Sequence, residues 1–343
     1  MPRWWPRRPT AAAGTALLLL LVACSGQRDD TVNLTALGGL DIPLEVGQSS
    51  ADRRATIATT IDGVDQTLLF DTGSAGVSVF ATAVPDSVAS MTGDPFQERF
   101  GGGVLLIGVT VAVPMEVAGN TTSGPVAIRL VQTATCDSGA PDCAAREGIE
   151  GLAESIGADG IFGAGLWSSG SAYSPLTQLA SGIPGAIAVT WGDTDGAVIL
   201  DPAFDVDPVA TLQMPSGTPS ELPSGANAWD NRSVPICWQI GEAPRSCVET
   251  ILDTGAAAMS FPIGFPGGPT TNVEELDPGQ QISAAVSSDA APFLEFATGT
   301  DLGENLVTVI PGQSSVNSGL QFFDDFIVAF SLADGTVRLY PKG

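Results

Sequence analysis

Thr67-Leu68-Leu69-Phe70-Asp71-Thr72-Gly73-Ser74 has a second version in the same chain, Thr250-Ile251-Leu252-Asp253-Thr254-Gly255-Ala256. Each runs from apolar, strand-forming residues into Asp-Thr-Gly, and the two aspartates lie more than half the chain length apart. That spacing predicts two similar halves, each delivering one carboxylate to a site between them. Two close carboxylates do not readily ionise together, so such a pair shares one proton and offers an acid and a base at once. It activates water without any other catalytic residue type.

The composition removes the main rivals. There is no histidine, which rules out Ser-His-Asp and Cys-His catalysis and HExxH-type zinc sites. Lys and Arg number 13 against 38 Asp and Glu, for a formal charge of −25. Phosphate backbones need clustered cations, so nucleic acid is not an expected partner. No metal site and no cofactor is expected. The acidity suits the soluble surface of an exported protein. Hydrophobic residues at 44% and 41 glycines provide for a large core joined by tight turns.

Residues 1–23 read as a targeting segment. Arg3, Arg7 and Arg8 make a basic start, and the apolar run 11–22 is too short to span a bilayer. It ends in Leu21-Val22-Ala23-Cys24, which resembles the lipobox of bacterial lipoproteins. That resemblance implies cleavage before Cys24 and a lipid anchor on it. The expected location is the bacterial cell envelope, membrane-held and facing the periplasm or the outside. Residues 24–36 are small and polar and read as a tether. Four cysteines remain: Cys136, Cys143, Cys237 and Cys247. An oxidising compartment favours their closure. Three connectivities are open to four cysteines, and the short spacings favour 136–143 and 237–247.

The rest of the chain is mainly β in character. Residues 54–61 lead through Asp62-Gly63, a tight-turn signal, into 66–70. Further strands are expected over 104–113, 127–131, 186–191, 197–200, 233–240, 248–252, 306–310, 326–330 and 336–339. A short helix is expected over 174–179, with Ser174 as its cap and Pro175 in the first turn. The Pro/Gly/Ser-rich stretch 208–225 reads as a linker between a first lobe, 37–207, and a second, 226–343. A third Asp-x-Gly, at Asp137-Ser138-Gly139, is set aside because no apolar strand is read before it.

Over nearly all of residues 50–342 these features resemble the pepsin-like aspartic proteases. Both Asp-Thr-Gly loops carry the likeness. So do Asp159-Gly160-Ile161-Phe162-Gly163, the short helix after it, and Gly196-Ala197-Val198-Ile199-Leu200. The closing segment from Phe322-Phe323 to Val337-Arg338-Leu339 and the cysteine pair upstream of Asp253 are also similar. The resemblance implies an all-β, bilobal fold with a cleft between the lobes, and a peptide or protein substrate. It implies Asp71 and Asp253 as the catalytic pair, and Thr72 and Thr254 locking the two loops by crossed hydrogen bonds. A monomer is expected.

Gly73 and Gly255 let the loop backbones approach and offer amides to the carboxylates. Ser74 can donate to Asp71, whereas Ala256 cannot donate to Asp253, so Asp253 is expected to hold the shared proton. The chain also departs from the family. Members carry a flap tyrosine bonded to a tryptophan seven residues after the first aspartate. Here Ser78 takes the tryptophan's place, and Phe100 the tyrosine's in the expected flap Phe100-Gly101-Gly102. Asn317-Ser318-Gly319 lacks the usual two apolar residues before its glycine. The expected activity is aspartic-type endopeptidase. The alternative is a catalytically weak or inactive pepsin-fold surface lipoprotein that binds peptides or a protein partner.

Overall fold

Asp62 and Gly63 both take positive φ, 48° and 81°, and turn the strand Ala55–Ile61 back into Val64–Asp71. Along the first strand the buried positions alternate, Ala55, Ile57, Thr59 and Ile61, the two-residue period of a strand with one face covered. The second is buried at every residue from Leu68 onward, because it runs inside the sheet with both faces packed. The computed structural model describes residues 37–47, 54–192, 195–270, 275–300 and 305–342. The targeting segment, Cys24 and the tether lie outside them.

The fold is all-β. Fifteen strands form one sheet and seven another. In the larger sheet Val64–Asp71 pairs in parallel with Gly160–Ala164, which pairs antiparallel with Ala75–Phe80. The smaller sheet repeats this arrangement. There Ser246–Ile251 pairs in parallel with Val316–Asn317, which is antiparallel to Met259–Pro262. Each Asp-Thr-Gly therefore links two strands with a third slotted between them. In this common register Ile161 faces Leu69 and Asn317 faces Ile251, each two residues before an aspartate.

Two strands late in the chain leave the smaller sheet for the larger: Phe326–Ser331 pairs with Ala186–Trp191 and with Thr336–Pro341. Within 208–225, Ala210–Gln213 pairs with Thr336–Pro341, and Ser216–Glu221 pairs with Asn227–Trp229. The smaller sheet is packed around Trp238, Phe261 and Phe322, with ring centroids 5.6 and 5.8 Å from the tryptophan. All three are fully buried, and burial of a large apolar side chain stabilises by about 1.5–3 kcal/mol.

Helix differs from expectation in four places, two of them the short unexpected helices Asp86–Ala89 and Gln321–Asp325. Gly148–Ile156 is helical, with Leu152 and Ile156 buried and Gly157 ending it in the left-handed conformation. Gly148 and Gly151 lower its intrinsic propensity; burial against Leu69, Phe80, Val131 and Ile161 overrides that. Conversely, 174–179 shrinks to a 3-10 turn over Pro175–Thr177, capped by the Ser174 hydroxyl accepting from the Leu176 N–H. Among the described residues no helix is long and apolar enough to cross a membrane. Cys136 is bonded to Cys143 and Cys237 to Cys247. The second bond joins facing positions of Val234–Ile240 and Ser246–Ile251.

Candidate active site

The two Asp-Thr-Gly loops lie back to back. A Cβ on Gly73 would sit 2.5 Å from the Asp253 carboxyl carbon, and one on Gly255 would sit 2.7 Å from that of Asp71. Only glycine allows this approach, because any side chain would occupy the place of the opposite carboxylate. Each glycine N–H also donates to its own aspartate: Gly73 to Asp71 Oδ1 at 2.7 Å and Gly255 to Asp253 Oδ1 at 2.8 Å.

The threonines tie one loop to the other. The Thr72 hydroxyl donates to the Leu252 carbonyl (2.7 Å) and accepts from the Thr254 N–H (3.1 Å). The Thr254 hydroxyl donates to the Phe70 carbonyl (2.8 Å) and accepts from the Thr72 N–H (3.0 Å). Both threonines are buried, where each hydrogen bond contributes about 1 kcal/mol net and leaving one unmade costs more. Asn231 adds a third tie that the sequence did not single out. Its amide donates to the Thr72 carbonyl (2.8 Å), its Oδ1 accepts from the Leu166 N–H (3.1 Å), and its carbonyl accepts from the Leu252 N–H (3.3 Å). Nothing local marks this asparagine, since its partners are remote in sequence.

The carboxylates are not equivalent. Asp71 is 6% exposed while Asp253 is half-buried. Burial pushes the Asp71 carboxyl well above the usual aspartate range, and the neighbouring Asp253 pushes it the same way. The Ser74 hydroxyl and the Gly73 N–H oppose this without reversing it. One expectation is corrected here. Asp253 has a side-chain donor despite Ala256: the Asn317 amide donates to its Oδ2 at 2.6 Å. The carboxyl that burial pushes upward is Asp71, the member expected to be the charged one.

Phe100, Gly101 and Gly102 form the tip of the hairpin joining Asp94–Arg99 to Val104–Val113. Phe100 is half-buried against the cluster containing Leu69, Phe80 and Ile161. Ser78 meets Arg129, whose Nη1 lies 3.4 Å from the serine hydroxyl and 2.7 Å from Glu98 Oε2. The Arg129 side chain is 3% exposed and that of Glu98 21%. By register Glu98 faces Leu106, which faces Ala134. In a flat sheet the Glu98 and Arg129 backbones would stand about 19 Å apart, beyond side-chain reach. The contact exists because the hairpin curls over the sheet, helped by the bulge between Ile107 and Gly108. Burial raises the Glu98 pKa above the usual range and lowers that of Arg129, and in both cases their mutual attraction opposes it without cancelling it.

Asp137 does follow a strand, Val126–Cys136, contrary to the sequence reading. It stands in a turn, with its N–H on the Gly103 carbonyl and its carboxylate on Arg99, which places it outside the dyad.

Chemically, the site offers one buried carboxyl that favours its proton and one carboxylate held by donors, within reach of each other. No protein-family model and no curated protein matches this chain.

Proposed function

We propose that this protein is an aspartic-type endopeptidase of the pepsin-like kind, with the two sheets as the cores of two lobes and the dyad between them. The observation that carries the reading is the pair Asp71 and Asp253, on loops joined by crossed threonine hydrogen bonds, with glycines shaped to admit the opposite carboxylate. Asp253 accepts a proton from water as the oxygen attacks a peptide carbonyl. Asp71 gives its proton to the developing oxyanion; on collapse the proton on Asp253 passes to the departing amine and a diol hydroxyl returns its proton to Asp71. Neither group replaces the other, because one must begin charged and the other neutral.

The disulfides fit an oxidising compartment. With the sequence of residues 1–24 they support an exported protein anchored by lipid on Cys24. A second reading, a weak or inactive peptide-binding lipoprotein, is favoured by Ser78 and Phe100, which cannot form the family's tyrosine–tryptophan bond. The deciding experiment uses the soluble protein from Ser25 onward against denatured protein across a pH series, with and without a statine-type inhibitor. Hydrolysis that the inhibitor blocks and that Asp71→Asn and Asp253→Asn each abolish is the expected result. Inhibitor binding without cleavage at any pH supports the second reading.

A further inference from the structure

We infer that Asn317 is a positioning residue of the dyad: its side-chain amide, taking the place of the hydroxyl that Ala256 lacks, holds Asp253 as the charged member. This rests on the peptidase reading above.

Asn317 sits at a place that is apolar in the first half of the molecule, where the equivalent register position is Ile161. Its backbone is fixed between two strands, pairing with Ile251 on one side and Ser260 on the other. Its amide orientation is fixed as well. The Gly319 N–H donates to Asn317 Oδ1 at 2.8 Å, so Nδ2 turns to Asp253 Oδ2. A flipped amide would set oxygen against carboxylate and N–H against N–H, losing both contacts. Gly319 is held in turn, with φ of 53° and no room for a Cβ, which would meet the Ala258 carbonyl carbon at 2.5 Å. The Ser318 hydroxyl accepts from the Asp253 backbone N–H at 3.2 Å. Three consecutive residues thus serve one aspartate.

The asymmetry follows from donor chemistry. A serine hydroxyl rotates to donate to a carboxylate or to accept from a carboxylic acid, so Ser74 tolerates Asp71 in either state. An amide NH2 only donates. Asp253 therefore has an obligate donor on each oxygen, Gly255 N–H on Oδ1 and Asn317 on Oδ2, and a proton on it would face one of them. The titratable group Asp253 faces is Asp71, from the strand Val64–Asp71. From Val316–Asn317 and from its own loop it meets these neutral donors.

The linkage has a definite sign. The Asn317 bond to charged Asp253 exists in the singly and doubly ionised dyad and is lost only when both carboxyls are protonated. Removing it should raise the acid limb of the kcat/KM profile. Removing Ser74, whose hydroxyl favours ionised Asp71, should raise the alkaline limb. These limbs belong to the pair, not to single residues.

The test compares wild type, Asn317→Leu, Asn317→Leu with Ala256→Thr, and Ser74→Ala. We expect Asn317→Leu to raise the acid limb by about one pH unit, tenfold in kcat/KM on that limb, with the alkaline limb fixed. The hydroxyl introduced by Ala256→Thr should restore it, and Ser74→Ala should move the other limb. Acid limbs that coincide in wild type and Asn317→Leu, or a shift confined to the alkaline limb, overturn the inference. If Asn317→Leu does not fold, Asn317→Ala withdraws the donor with a smaller side chain and is read the same way. A wild type that cleaves nothing at any pH defeats the peptidase reading alone. Carboxyl-carbon NMR of Asp71 and Asp253 needs no turnover, and identical titrations with and without Asn317 would then refute the donor role.

Discussion

Glu98→Gln should destabilise this protein more than the loss of one surface charge allows. The variant keeps the shape of the side chain and leaves the Arg129 guanidinium, 3% exposed, without the carboxylate that neutralises it. Its other contacts, to the Ser78 hydroxyl and the Ser169 carbonyl, are each 3.4 Å long and carry no charge. Breaking a buried ion pair costs about 3–5 kcal/mol, and the partial exposure of Glu98 places this case near the lower figure. For a chain this long each kcal/mol moves Tm by roughly 2 °C, so Glu98→Gln and Arg129→Met should each lower Tm by about 6 °C. Burial opposes the charged form of both partners, so their attraction does not fully compensate desolvation. The double variant Glu98→Leu/Arg129→Met should therefore recover most of the loss, since apolar pairs often match buried ion pairs in stability. Thermal unfolding by circular dichroism at constant pH gives the four Tm values. Amide exchange over residues 98–106 should quicken in the single variants, because the pair holds the curled hairpin. Single variants within a degree of wild type, or a double variant less stable than either single, would refute this reasoning.

Gly73→Ala and Gly255→Ala should each abolish hydrolysis and lower Tm, because the added Cβ would fall 2.5 or 2.7 Å from the opposite carboxyl carbon; purified variants with wild-type rates would contradict the geometry. Asp71→Asn should be more stable than wild type at neutral pH and equal to it in strong acid. A carboxyl raised by folding contributes stability below its ordinary pKa of 3.8 that is lost as pH rises through the folded value, so plots of Tm against pH should diverge upward from about pH 4. Serine at both Cys237 and Cys247 should cost about 2–3 kcal/mol and reduce activity more than the same change at Cys136 and Cys143, since Ser246–Ile251 leads directly to Asp253; equal losses would argue against that link.

The strands around Asp71 were legible because apolar alternation and Asp62-Gly63 are local signals; Val104–Val113 and Ala186–Trp191 carry the same bounds in sequence and structure. The helix Gly148–Ile156 was not, since two glycines argue against it and the face that Leu152 and Ile156 bury belongs to strands far along the chain. The dyad itself could be read from a repeated triplet. Its third partner could not: Asn317 was visible as a departure from an apolar pattern, but its bond to Asp253 depends on a strand slotting between two others. Glu98 and Arg129 were hidden for a related reason. Their meeting depends on the curl of a hairpin, which no pairing register reveals.

The order in which the chain supplies its parts sets when the site can exist. Asp71 and its loop come early, yet Thr72 is completed by Leu252 and Thr254, and Asp253 by Asn317 and Ser318. The central strand Ala186–Trp191 then waits for Phe326–Ser331 to cover its open edge. A chain emerging from synthesis therefore holds two separate aspartates and no dyad. The pairing of the two aspartates is complete only after the residues around 317–331 have joined the rest.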